Sequence, residues 1–215
     1  REVTRIAEEE VDFILLNAAP ANLVSNILKT GLPLIIKDRA LYWKLYLEQS
    51  AEAEDFARFA QDYWEIYQRA RSLTPEDRVR LLERIQFLEG ELQEIEKFRK
   101  LSFHEYQEDK SKRRDMERWT ENIMNAAIDI AKIILASEKK PAPQTYEEAL
   151  SKFATLAGLD AAQAEQLSGL ARLRNMLAHE YLDILYGRIR NFIEVFPELY
   201  TKLSRFLRTY TNRSG

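Results

Sequence analysis

The sequence predicts a mainly α protein. An antiparallel bundle of four or five helices is expected over residues 74–215, and a small, truncated α/β piece over residues 1–73. Three observations carry this. Six glycines and six prolines in 215 residues leave room for long helices and few turns. Apolar residues recur at three- and four-residue spacing through most of residues 75–210. Two short apolar runs, at residues 11–16 and 33–37, read instead as strands.

Taken in order, residues 1–10 are charged and helical in propensity. The run Val11-Asp12-Phe13-Ile14-Leu15-Leu16 follows, bounded by Asn17 and Pro20. A short helix is expected from Ala21 to Lys29, with Gly31 as a helix-stopping residue. Leu34, Ile35 and Ile36 form the second run. Asp38 is placed to cap a long helix reaching about Ser72, with Phe56, Phe59, Tyr63 and Tyr67 on its apolar stripe. Two strands alone do not make a stable sheet, so they are expected to pair with each other or with another chain.

Thr74-Pro75-Glu76-Asp77 is a helix start, with Thr as N-cap and Pro in the first helical position. The domain boundary is set here. Leu81, Ile85, Leu88, Leu92, Ile95 and Phe98 then follow a bundle-like spacing. Residues 102–109 read as a break. The next helix, about Lys112 to Ala136, is expected to bury Trp119, Ile123 and Ile130. Pro141 and Pro143 mark a loop, and a short helix runs from Tyr146 to Ala157. A helix capped by Asp160 extends to about His179, with Leu170 and Leu177 in the core. The last helix, about Tyr186 to Tyr210, contains Pro197, which is expected to kink or interrupt it.

Composition excludes several classes. With no cysteine there is no disulfide framework, thiol nucleophile or thiolate metal site. Two histidines and no His-Glu-x-x-His pattern argue against a zinc hydrolase. No apolar run is long enough to span a bilayer, no signal peptide is visible, and a cytoplasmic location is expected. The net charge is −3, and residues 75–215 carry 23 basic and 23 acidic side chains. RNA binding would therefore need local basic patches, for which Lys112, Arg113 and Arg114 are candidates.

The chemistry concentrates in Arg174-Asn175-Met176-Leu177-Ala178-His179-Glu180-Tyr181. Arg174 falls on the stripe of Leu167, Leu170, Ala171 and Leu177, where an apolar residue is expected. A guanidinium there needs compensation. Histidine is the side chain whose unperturbed pKa lies near neutrality, and an arginine can grip a phosphate as a fork. From composition alone, the pair also fits a helix C-terminus with a cation on the dipole. Arg99 and His104 repeat the spacing without an Asn after the Arg, at the end of a different helix.

The string resembles the Arg-x4-6-His signature of HEPN-domain ribonucleases, and most closely the Arg-Asn-x-x-x-His-x-Tyr motif of HepT-type toxins. Arg174, Asn175, His179 and Tyr181 match it position for position. The likeness extends over residues 75–210 through Ser102, Phe103 and Tyr106, the Ala126–Ala131 run, and Tyr146 with Glu148. Asn125 departs from it: a Glu is expected there, one turn before Asp129. The resemblance implies a HEPN bundle, catalytic Arg174, Asn175 and His179, a candidate support in Asp129, and Tyr181 as the acceptor where a nucleotidyltransferase attaches AMP and silences the toxin.

Residues 1–72 resemble the C-terminal half of a minimal nucleotidyltransferase of the MNT antitoxin type. Asp12 would match its third metal-binding carboxylate. The Gly-Ser signature and the Asp-x-Asp pair occur nowhere in the chain, so nucleotidyl transfer by this chain is not expected. ATP and Mg would serve only a complete nucleotidyltransferase domain, and the fragment reading expects a longer natural protein. The expected function is metal-independent cleavage of RNA, tRNA among the candidates, by a cytoplasmic homodimer. The nucleotidyltransferase antitoxin would control it in cis or in trans. The alternative is a non-catalytic helical module that docks substrate or partner for a nucleotidyltransferase.

Overall fold

The computed structural model describes residues 13–69, 72–177 and 182–213. Its helices are α1 (Ala21–Thr30), α2 (Arg39–Arg69), α3 (Pro75–Gln93), α4 (Ile95–Arg99), α5 (Phe103–Glu108), α6 (Lys110–Ser137), α7 (Tyr146–Leu156), α8 (Ala161–Met176) and α9 (Leu182–Arg213). A 3-10 turn spans Leu16–Ala18. No helix among the described residues is long and apolar enough to cross a membrane. The chain divides into two compact units, Arg1–Phe59 and Ala60–Gly215, with the division inside α2.

In the first unit neither expected strand forms among the described residues. Residues 13–15 lead into the 3-10 turn, and residues 31–38 join α1 to α2 without regular structure. Val11 and Asp12 lie outside the described residues. The physical reason is the missing neighbour, because a strand is made by the ladder it joins. The side chains meant for a sheet interior are left outside: Leu15, Leu34 and Ile35 are 78%, 86% and 80% exposed. Leu16, Ile27, Leu28, Ile35, Ile36, Leu41 and Tyr42 line an open apolar basin of about 590 Å³. Asp38 caps α2 as expected, its Oδ1 accepting from the Leu41 amide at 3.0 Å. Gly31 closes α1, but not by a left-handed turn, for its φ is −76°. Glycine is needed there for space: a Cβ would sit 2.5 Å from the carbonyl oxygen of Ile27.

The second unit is an all-helical bundle built around α6. Met116, Trp119, Ile123, Met124, Ile130 and Ile134 are buried, and every residue of 130–137 is buried whichever way it faces. A helical stretch buried all round belongs in the middle of a bundle. It packs against α3, α5, α7 and α8, while α9 lies against α8, α4, α5 and α3. The stripe of Leu185, Ile189, Phe192, Phe196, Leu199, Leu203 and Leu207 gives α9 its buried face. Of the expected core residues, Trp119, Ile123, Ile130 and Leu170 are buried. Leu177 is only half-buried, because it is the C-cap of α8 rather than part of its stripe.

The helix ends follow capping chemistry. Thr74 caps α3 through the Asp77 amide, and Asp160 caps α8 in a capping box with Gln163. The expected break at residues 102–109 contains a turn and a half of helix, α5. The signal for it is Ser102-x-x-Glu105, where each side chain bonds the other's backbone amide. Near the end of α3 one carbonyl takes a donor from outside the helix. The indole of Trp119 donates to the Glu91 carbonyl at 2.7 Å.

Pro197 does not interrupt α9. Proline has no amide hydrogen to donate to the carbonyl of Ile193, four residues earlier. Arg99 Nη2 donates to that carbonyl instead, at 3.4 Å. Arg190 in turn donates to the Arg99 carbonyl, and the Tyr186 hydroxyl donates to that of Leu101 at 2.8 Å. Arg99 thus braces α9, which accounts structurally for its place in the second Arg-x4-His string.

Candidate active site

Arg174 lies in the last turn of α8, half-buried between α6 and α7. Its Nε donates to Oδ1 of Asn125 on α6 at 2.9 Å. The guanidinium carbon stands 4.9 Å from the ring centre of Tyr146, at the start of α7. The compensation expected for a guanidinium on an apolar stripe therefore includes an amide and an aromatic face. Its place at the C-terminal end of α8 adds the favourable pole of the helix dipole.

Local sequence fixes each partner. Asn125 sits between buried Met124 and Ala126 on the central helix. Tyr146 is 7% exposed and follows Thr145, whose side chain caps α7 by accepting from the Glu148 amide at 3.1 Å. The last helical residue of α8 is Met176, with Leu177 as C-cap. Five residues of one regular helix would turn Arg174 and His179 apart by a net of roughly 140°. The regular helix is described only as far as Met176, with Leu177 as its C-cap.

His179 and Tyr181 lie outside the described residues, as does Asp12. Asn175 belongs to α8, but its side chain is outside the description. Asp129, one turn beyond Asn125, is engaged elsewhere. Its carboxylate meets Arg84 Nε at 3.1 Å and Lys132 Nζ at 3.0 Å, and Lys132 also reaches Asp62 at 3.0 Å. This chain of charges ties α2, α3 and α6 together. Lys132 is 6% exposed, so its ammonium needs carboxylates.

The basic candidates lie at the N-terminal end of α6. Lys112 pairs with Glu105 at 2.8 Å, Arg113 donates to the Gln107 carbonyl at 3.4 Å, and Arg114 is exposed. At 1.5 Å per residue, Lys112 is roughly 20 Å along the helix from Asn125. The Lys112 ammonium, with the Ser102 amide and hydroxyl, holds the Glu105 carboxyl down to about 2. Lys112 is thus already committed to a carboxylate at neutral pH.

Two contacts of Arg174 were not foreseen. Asn125 stood out only as a departure from an expected Glu. A polar side chain on the buried side of α6 and an arginine on the apolar stripe of α8 are complementary needs, and that was the signal available. Tyr146 gave no comparable signal, for it reads as an ordinary first-turn aromatic. Asn125 thus meets an edge of the guanidinium and Tyr146 one of its faces. The sequence profile of the family described as Ribonuclease HepT-like matches residues 88–208. No curated protein matches the chain.

Proposed function

The chain belongs to the HepT-like ribonuclease family, and we propose that it is a metal-independent endoribonuclease toxin of a toxin–antitoxin pair. The observation that carries the reading is Arg174. It is held by Asn125 and Tyr146 in the last turn of α8. In this reading Arg174 grips the scissile phosphate as charge builds on it. His179 takes the proton of the 2′-hydroxyl or gives one to the leaving 5′-oxygen, and Asn175 orients His179 or the phosphate. The 2′-oxygen bonds to phosphorus as the bond to the 5′-oxygen breaks. The products are a 2′,3′-cyclic phosphate and a 5′-hydroxyl.

The active unit in this proposal is a homodimer with the motif helices near the two-fold axis. An isologous interface repeats every group, so one His per chain becomes an acid and a base on two sides of a phosphate. Control comes from a nucleotidyltransferase that transfers AMP to Tyr181, filling the space beside Arg174 with a phosphate. A second reading, a docking module for a nucleotidyltransferase, is favoured by the exposed Leu15, Leu34 and Ile35 and by the apolar basin of the first unit. The two readings are compatible, since the first unit can bind the enzyme that modifies the second.

The test is the chemistry of the ends. RNA incubated with purified protein should yield fragments ending in 2′,3′-cyclic phosphate, and a 2′-deoxy residue at the cleavage point should block the cut there. Cleavage of the deoxy-substituted site at the normal rate would contradict the mechanism. For regulation, incubation with an intact nucleotidyltransferase and ATP should add AMP to a peptide containing Tyr181 and lower the activity. Modification only at other residues would remove Tyr181 from the site.

A further inference from the structure

A groove of about 260 Å³ runs between α8 and α9. Leu173 and Met176 of α8, with Val195 and Leu199 of α9, give it an apolar floor. The exposed side chains of Gln166, Arg188 and Asn191 add polar groups to its lining. Arg174, which meets α6 and α7, takes no part in it. We infer that this groove seats one unpaired base of the RNA, with Arg188 on a neighbouring phosphate. This rests on the ribonuclease reading and extends it, by assigning a nucleotide-binding subsite outside the catalytic motif.

Gly169 keeps the groove open. It lies inside α8, where glycine is the least favourable residue after proline. A Cβ there would meet only Nη2 of Arg172, at 3.4 Å, so close packing of backbone does not demand the glycine. What a larger side chain would take is the space of the groove that Gly169 lines. The polar groups suit a nucleotide. Arg172 is shared by Glu147 and Glu165. Arg188 is exposed, and among the described residues it makes no ion pair or hydrogen bond, so it is the cation the groove offers to a phosphate. Gln166 and Asn191 each carry donors and an acceptor, the functions that base edges present. The volume lies just under the range of about 300–1,000 Å³ usual for ligand pockets, which suits one flat ring system. The place favours RNA over a protein side chain. Met176, in the floor, is two residues from Arg174, and a helix with its side chains is about 10–12 Å across. A strand with a phosphate at Arg174 reaches the groove by crossing the end of α8. Residues 75–215 carry 23 basic and 23 acidic side chains, so RNA must be held by local groups of this kind.

The experiment measures RNA binding by the full chain carrying His179→Ala, so that affinity is read without cleavage. The probe is a short single-stranded RNA of one sequence that the wild type cuts, used intact and with one base at a time removed from its ribose. Gly169→Leu, which fills the groove, should weaken binding of the intact RNA about tenfold, the scale of one stacked base. Removal of one particular base should weaken binding by a similar factor, and with that RNA Gly169→Leu should cost nothing more. Gly169→Ala should bind normally, since its Cβ meets only the tip of Arg172. Arg188→Gln should make the slope of log affinity against log salt shallower by roughly 0.7, as one phosphate contact is lost. A merely structural role would not move that slope, and this exposed position tests the inference even if Gly169→Leu fails to fold. Unchanged slope and affinity in Arg188→Gln, with the wild type cleaving RNA, would overturn this inference alone. So would a folded Gly169→Leu protein that keeps its RNA affinity but no longer binds a nucleotidyltransferase or a second copy, which would give the groove to a protein. If the wild type cleaves no RNA and the His179→Ala protein binds none, the ribonuclease reading falls and takes this inference with it.

Discussion

Replacing Arg99 by Met should destabilise the bundle through a carbonyl that Pro197 leaves without a helical donor. A proline inside a helix costs about 3 kcal/mol, partly through the lost bond to the residue four positions earlier. Here that acceptor is Ile193, and Arg99 Nη2 reaches it at 3.4 Å. A hydrogen bond from a charged donor is worth about 1.5–3 kcal/mol. The contact is long and the Arg99 side chain is 34% exposed, so about 1 kcal/mol is appropriate after screening. The ion pairs of Arg99 with Glu96 and Glu194 are largely solvated and add at most about 1 kcal/mol. Arg99→Met should therefore cost about 1–2 kcal/mol. Pro197→Ala restores an amide hydrogen for Ile193, and in that background Arg99→Met should cost only the ion-pair share. The assay is urea unfolding followed by far-UV circular dichroism, on the two single variants, the double variant and wild type. A coupling of about 0.5–1 kcal/mol is expected, with RNA cleavage per folded molecule unchanged in Arg99→Met. An equal cost of Arg99→Met in both backgrounds would refute the link to Pro197, and loss of cleavage would return the Arg99/His104 string to the candidate sites.

Three further outcomes follow from local geometry. Glu105 has its carboxyl held down to about 2 in the folded chain, so its contribution is present above the ordinary carboxylate range, near 4.5, and lost as pH falls toward 2. The gap in thermal midpoint between wild type and Glu105→Gln should be constant above about pH 5 and close toward pH 2; a gap independent of pH would exclude the Lys112 pairing as its source. Gly31→Ala should weaken the end of α1 by about 1–3 kcal/mol, since its Cβ meets the Ile27 carbonyl at 2.5 Å. Faster hydrogen exchange in the last turn of α1 would show it. Gly90→Ala, where the added Cβ meets nothing within 4 Å, should instead stabilise α3 by about 0.5–1 kcal/mol in urea unfolding.

The bundle was legible because its signals are local. Caps at Thr74 and Asp160, the apolar run of α6 and the stripe of α9 each specify an element without reference to distant chain. The capping box at Ser102 and Glu105 is equally local. The strands were not legible in the same way. The run at Leu34–Ile36 has strand composition, but a strand exists only with a neighbour, and among the described residues none is present. At the site, the need of Arg174 for compensation could be read from its place on an apolar stripe. Which groups meet that need could not, because Asn125 and Tyr146 lie 49 and 28 positions away in sequence and are brought together only by the packing of α6, α7 and α8. Asp129, the candidate support that the resemblance implied, pairs with Arg84 and Lys132.

The most direct test of the account is a single-turnover cleavage rate on labelled RNA in excess chelator, for wild type, Arg174→Ala and His179→Ala. The wild type should cut under these conditions. Each variant should lose at least a hundredfold in rate, the scale of one general acid–base or electrostatic group, with far-UV circular dichroism unchanged. Wild-type activity that requires a divalent metal, or full activity in either folded variant, would contradict the proposal that Arg174 and His179 cleave RNA.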